Sequence, residues 1–215
     1  MKRREELVRR PKDDSSGVQP DTATRSAFSL IELLCVMAIL MILTTLYWGS
    51  GSGDRQRVQK AACQKNLLNI YVAMQIYASE HAGLFPVVTG ARNSEEALDV
   101  LVPRFTSDTA PFICPGSGAA PLAAGEPIRK HKISYAYYMG RGLTNAPQAL
   151  LSDAQIDTNP KTTGQQVFSS SGKAPGNNHG KSGGNFLFTD GHAEMSPAQA
   201  AFALNFGANE MLLNP

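Results

Sequence analysis

Glu32 is the only charged residue in a run of twenty otherwise uncharged, mostly apolar positions from Phe28 to Tyr47. About twenty apolar residues in a helix span the ~30 Å hydrocarbon core of a bilayer. A carboxylate at the centre of such a span costs roughly 2.5–3.5 kcal/mol on insertion scales. Its presence therefore requires either a cation brought to it or a place near enough to the helix end to reach the headgroups. A second group of reactive types lies far downstream. His179, Asp190, His192 and Glu194 are the only local cluster of metal-capable side chains. On a strand His192 and Glu194 share one face, because side chains repeat every two residues. Imidazoles favour a zinc-like ion and carboxylates favour calcium. Asp190-Gly191 is equally accounted for as a hairpin turn, so the expectation is no resident cofactor, with zinc or calcium as the alternative. Nucleophilic catalysis has little to stand on. The one Gly-x-Ser-x-Gly match, Gly180 to Gly184, falls in a polar glycine-rich stretch rather than at a strand-to-helix elbow, and the chain has no Gly-x4-Gly-Lys-Ser/Thr loop and no His-Glu-x-x-His pair.

The elements that must carry these residues follow from the pattern along the chain. Residues 1–27 are polar, hold seven Lys/Arg against five acids, and show no apolar periodicity. They read as an address rather than as part of a fold. The remaining 188 residues are formally neutral, which gives no electrostatic footprint for nucleic acid. After the apolar span, "GSGSGD" places three glycines in five positions at 49–53, each disfavouring helix by about 1 kcal/mol. We expect the helix to break there and to restart with Asp54 as its cap. From Arg55 to His81, Leu67, Ile70, Tyr71, Met74, Tyr77 and Ala78 recur at helical steps and form one apolar face. Gly83 and Pro86 end that helix. In "NSEEALDVLVPRF", Asn93 and Glu96 form a capping box for a short helix.

Beyond residue 105 the runs shorten and turn β-like: "APFICPGSG", "KISYAYYMG", "ALLSDAQI" and "GGNFLFTDGHAEM". Asp190-Gly191 between the two halves of the last predicts a hairpin with a type I′ turn. Residues 169–184 are a polar glycine-rich loop. The organisation is therefore α+β. A leader at 1–27 precedes a membrane helix at 28–48, a glycine hinge at 49–53, and a soluble domain at 54–215. In that domain an amphipathic helix packs on an antiparallel sheet drawn from residues 105–195.

The residues "AFSLIELLCVMAIL" resemble the type IV prepilin signature, in which a small residue, usually Gly, precedes Phe-Thr/Ser-Leu-Ile-Glu-Leu. Ala27 stands here where Gly is usual. The resemblance implies that a membrane prepilin peptidase cuts between Ala27 and Phe28, that the new amino terminus is methylated, and that the fold is pilin-like. Glu32 then becomes the fifth mature residue, and its charge is met by the Phe28 amine of a neighbouring subunit. The second half resembles a subset of prepilin-like proteins named for an H-X9-DG motif. The matching pieces are "CQKNLLNIYVAMQIYASEHAGLFP", "FICPGS", "ISYAYYMG", "LLSDAQI" and "NNHGKSGGNFLFTDGHAEM"; here His179 and Asp190 are separated by ten residues.

The family reading implies a structural subunit of a type IV pilus or type II secretion pseudopilus, and not an enzyme. It would be anchored once in a bacterial inner membrane with its domain in the periplasm, then moved into a filament. Its partners would be the prepilin peptidase, other pilin or pseudopilin subunits and the inner-membrane assembly platform. The alternative is a membrane-anchored periplasmic binding or enzymatic module, which needs neither a cleavable leader nor Glu32. Cys35 in the span is a small apolar packer. Cys63 and Cys114 would lie outside the cytoplasm, where disulfides persist. They either bridge the helix to the β region or remain two buried thiols.

Overall fold

The computed structural model describes residues 28–48, 52–144 and 146–215. The leader 1–27, including Ala27, and glycine-rich positions 49–51 lie outside the described residues. The chain divides into two compact units on either side of Gly49–Ser50.

The first unit is α1, Leu30–Trp48, whose large apolar side chains are exposed all round. Of its residues, Leu30–Tyr47 are apolar enough and long enough to cross a membrane. A helix that is hydrophobic on every side needs an apolar surround.

The second unit begins with α2, Ser52–Glu80. Asp54 thus falls inside the first turn rather than ahead of it, and Gly53 is helical. A first-turn glycine forfeits no helix-interior packing, so its low propensity does not delay the start. The apolar stripe is the one the periodicity indicates: Leu67, Ile70, Tyr71, Met74 and Ala78 are buried, and Tyr77 packs at the edge of the same cluster. α3 (Ser94–Leu98) starts where Asn93 Oδ1 accepts from Glu96 N at 2.9 Å. The box is only half formed, because the Glu96 carboxylate reaches back to Arg92 N (2.8 Å) instead of to Asn93 N.

Five strands follow: β1 Tyr135–Met139, β2 Ala149–Asp153, β3 Gly184–Phe188, β4 Ala193–Ser196 and β5 Met211–Leu213. They form one sheet in the order β4-β3-β2-β1-β5, with every neighbouring pair antiparallel. The sheet therefore starts later than residue 105 and ends later than 195. "APFICPGSG" is not a strand: Ala110–Phe112 forms a 3-10 turn led by Pro111. Prolines at 111 and 115 remove two ladder donors from that stretch. β5 was absent from the sequence reading, because a strand of three residues carries too little alternation to be seen.

Both sheet faces are covered, which explains why β1, β2 and β3 are buried along their whole length. Tyr135, Tyr137, Leu151, Leu187 and Leu213 join the α2 stripe in one cluster. Ala136, Tyr138, Phe186 and Phe188 join Val167, Phe168, Ala200 and Leu204 on the other side. The β3–β4 turn differs from the expected type I′. Gly191 N donates to Phe188 O and Phe188 N to His192 O, both at 2.9 Å, so the loop holds three residues. Gly191 has φ +89° and Asp190 does not enter the positive-φ region. This is a type I turn closed by a glycine bulge. Asp190 favours it because its carboxylate accepts from His192 N (3.1 Å).

Gly191 is tied to this position twice over. Besides its positive φ, a Cβ there would stand 2.6 Å from Tyr71 Cε1 on α2. Tyr71 in turn donates from its hydroxyl to Thr189 O at 2.7 Å. Gly191→Ala should lower the stability of the second unit by about 1–3 kcal/mol, the usual cost of a strained backbone position. A denaturation midpoint indistinguishable from that of the unaltered protein would contradict the packing described.

Candidate functional site

Two places in the molecule hold groups that need an explanation, and each is described within its own unit.

The first is the start of α1. Ser29 precedes the helix and Glu32 lies in its first turn. Glu32 Oε2 accepts from Ser29 N at 3.0 Å, while Leu33 N donates to Ser29 O at 3.3 Å. Ser29-Leu-Ile-Glu32 is thus half of a capping box, with the carboxylate reaching back to the residue ahead of the helix. The sequence reading missed this role, although the Ser-x-x-Glu spacing was visible. Phe28 is 87% exposed. In this state the negative charge sits at the positive end of the helix dipole, where it is favoured. The described contacts leave the charge itself without a cation.

The second lies between α2 and the sheet and is buried. Asp153 ends β2, 1% exposed, among four donors or potential donors. Its Oδ1 accepts from Asn178 Nδ2 (2.9 Å). Its Oδ2 accepts from Asn185 N (2.7 Å) and Asn185 Nδ2 (3.0 Å), and lies 3.2 Å from His179 Nε2. Asn178 Nδ2 also donates to Ser134 O (2.6 Å), and Asn185 Nδ2 to Lys60 O (3.1 Å). One carboxylate thereby joins β2, β3, the glycine-rich loop and α2. The loop carries Asn178 and His179 into the interior because Gly116 leaves room. A Cβ at 116 would sit 2.2 Å from Asn178 O and 3.0 Å from His179 Nδ1.

Cys63 on α2 and Cys114 are joined as a disulfide in the structure, with Cα atoms 5.4 Å apart. Cys114 Sγ also lies 3.5 Å from His179 Nε2. Nearby, Lys60 Nζ donates to Ser182 O (2.9 Å) and Ser196 O (3.1 Å). Burial holds the Lys60 ammonium below the usual lysine range, and the Asp153 charge pulls it back up.

The four metal-capable residues singled out by type are not brought together. His179 is buried with Asp153 and Cys114, whereas Asp190 and His192 pair in the exposed hairpin turn, His192 Nδ1 to Asp190 Oδ1 at 2.6 Å. Glu194 sits on β4 opposite Phe186. The three-residue turn folds Asp190 onto His192 and away from the loop that buries His179. Asp153 was missed because nothing in "LLSDAQI" marks its aspartate as buried. The signal available was a carboxylate closing an apolar run.

Residues 23–47 match the family model described as the prokaryotic N-terminal methylation motif. That match supports a prepilin-like amino terminus, a pilin-like precursor handled by a prepilin peptidase, and a membrane-anchoring helix. No curated protein and no solved structure matches the chain.

The bridge closes a loop with a sequence separation of 51. In the chain-entropy view, a loop of that size stabilises by about 4 kcal/mol. The double variant Cys63→Ala/Cys114→Ala should lose roughly that amount in denaturant titrations under non-reducing conditions. An unchanged midpoint would contradict a bridge that constrains the unfolded chain.

Proposed function

We propose that this chain is a structural, non-enzymatic subunit of a type IV pilus or a type II secretion pseudopilus. A prepilin peptidase removes residues 1–27 by cutting between Ala27 and Phe28, and α1 then polymerises with the same helix of other subunits on the inner-membrane assembly platform. The soluble unit faces the periplasm before assembly. The observation that carries this reading is the methylation motif matched at 23–47 together with the apolar helix Leu30–Trp48, whose only charge is Glu32. The resemblance of the second half to the H-X9-DG group fits a filament-borne domain. His179 and Asp153 support the same side of the question. Each is 1% exposed and faces a disulfide, an arrangement suited to holding loops together rather than to meeting a substrate.

Cleavage would make the Phe28 nitrogen an ammonium at the head of the helix. In a bundle of apolar helices, an unpaired ammonium and an unpaired carboxylate are both costly. Staggered subunits let the Phe28 amine of one chain meet Glu32 of the next, which satisfies both charges and sets the register. The cap that Glu32 forms with Ser29 offers a way to separate charge from local structure. Glutamine serves a capping box as well as glutamate does. Glu32→Gln therefore keeps the helix start and removes only the charge. Breaking a buried pair typically costs 3–5 kcal/mol, or about two to three and a half orders of magnitude in a subunit contact. We expect Glu32→Gln protein to be processed, stable and membrane-resident, yet nearly absent from sheared filaments. Recovery in filaments at the level of the unaltered protein would overturn the pairing.

A further inference from the structure

We infer that Cys63, Cys114, His179 and Asp153 form a site for one zinc-like divalent cation when the two cysteines are reduced, so that disulfide and metal are alternative states of one place. One ligand atom from each of the four lies within 4.8 Å of all the others, and all four residues are buried. They come from α2, from the segment after the 110–112 turn, from the glycine-rich loop and from the end of β2. Two of the ligand edges already fit. Tetrahedral zinc with ordinary bond lengths sets ligand edges of about 3.5 Å for sulfur to nitrogen and about 3.4 Å for nitrogen to oxygen. The structure has 3.5 Å from Cys114 Sγ to His179 Nε2 and 3.2 Å from His179 Nε2 to Asp153 Oδ2. The sulfur–sulfur edge must open to about 3.8 Å, which reduction releases, and the remaining edges lie within 4.8 Å.

His179 supplies an independent observation. Its Nε2 faces a sulfur and a carboxylate oxygen at once, and a single N–H can serve only one of them. A cation at the centre of the four engages Nε2, the carboxylate and both sulfurs together. Two thiolates and an imidazole select a zinc-like ion over calcium. The charges also balance: two thiolates and Asp153 bring three negatives, the ion two positives, and the Lys60 ammonium, which feels the Asp153 charge, one more. Asn178 and Asn185 hold the carboxylate from behind, as outer-shell groups do in metal sites.

Reaching the metal state from the bridge takes two electrons and two protons, which a phosphine supplies together with water as it becomes the phosphine oxide. Each resulting thiol gives up its proton on binding the ion. A newly made chain that has not met a disulfide-donating oxidant needs no reductant.

The test uses the full chain in detergent, with Co²⁺ as the probe. After phosphine reduction we expect one equivalent to bind, with a thiolate-to-cobalt charge-transfer band and tetrahedral d–d absorption, and Zn²⁺ to displace it. The oxidised protein should show neither band. Asp153→Asn should weaken binding by roughly tenfold or more, and His192→Ala should leave it unchanged. In the unaltered protein, Zn²⁺ should slow alkylation of Cys63 and Cys114 and leave Cys35 as fast as before, which decides the matter even if Asp153→Asn does not fold. Absence of the charge-transfer band, or equal alkylation of Cys63 and Cys114 with and without zinc, overturns the inference.

Discussion

A carboxylate withdrawn from water must be met by a cation or by a set of donors, and this chain faces that demand in two places. At Asp153 the demand is met internally. Two oxygens take three N–H bonds from Asn178 and Asn185, and a fourth polar contact comes from His179. Because those partners sit on separate elements, satisfying one charge fixes the end of β2, the start of β3 and the loop between them. At Glu32 the described residues supply only the Ser29 N–H. A single donor caps a helix but does not neutralise a charge inside an apolar surround. On the proposed reading, the remaining demand is met by the Phe28 amine of another chain.

α2 is the element through which the second unit is assembled, and its polar side chains matter as much as its apolar stripe. Lys60 and Gln64 donate to the carbonyls of Ser182, Ser196 and Ala193, and Asn66 donates to Ile113 O. These bonds satisfy backbone carbonyls at the strand ends and in the loops. Tyr71 and Gly191 then fix how closely the β3–β4 hairpin approaches the helix. The disulfide adds a covalent tie on the same helix face, beside Asp153 and His179.

The features legible in the sequence were those with a period or a fixed spacing. The apolar span, the α2 stripe from Leu67 to Ala78, the short helix after Asn93 and the antiparallel pairing of the last hairpin all carry such signals. β5, with three residues, has no period to read. "APFICPGSG" mimics a strand by composition, but its prolines bend it into a 3-10 turn. The Asp-Gly pair marked the turn correctly and its type wrongly, because Asp190 binds His192 N instead of adopting positive φ. The buried cluster was half legible. His179 was selected by type, but Asp153 lies 26 positions away from it in the chain and only the sheet brings the two together. Residue type alone grouped His179 with Asp190 and His192. Burial regrouped it with Asp153 and the cysteines.

The account turns on Phe28 becoming the amino terminus whose charge Glu32 answers. The most direct measurement is the N-terminal peptide mass of the protein extracted from its native membrane. The prediction is a mature chain that starts at Phe28 and carries one methyl group on its α-nitrogen. An intact leader beginning at Met1, or a terminus at any residue other than Phe28, would contradict it.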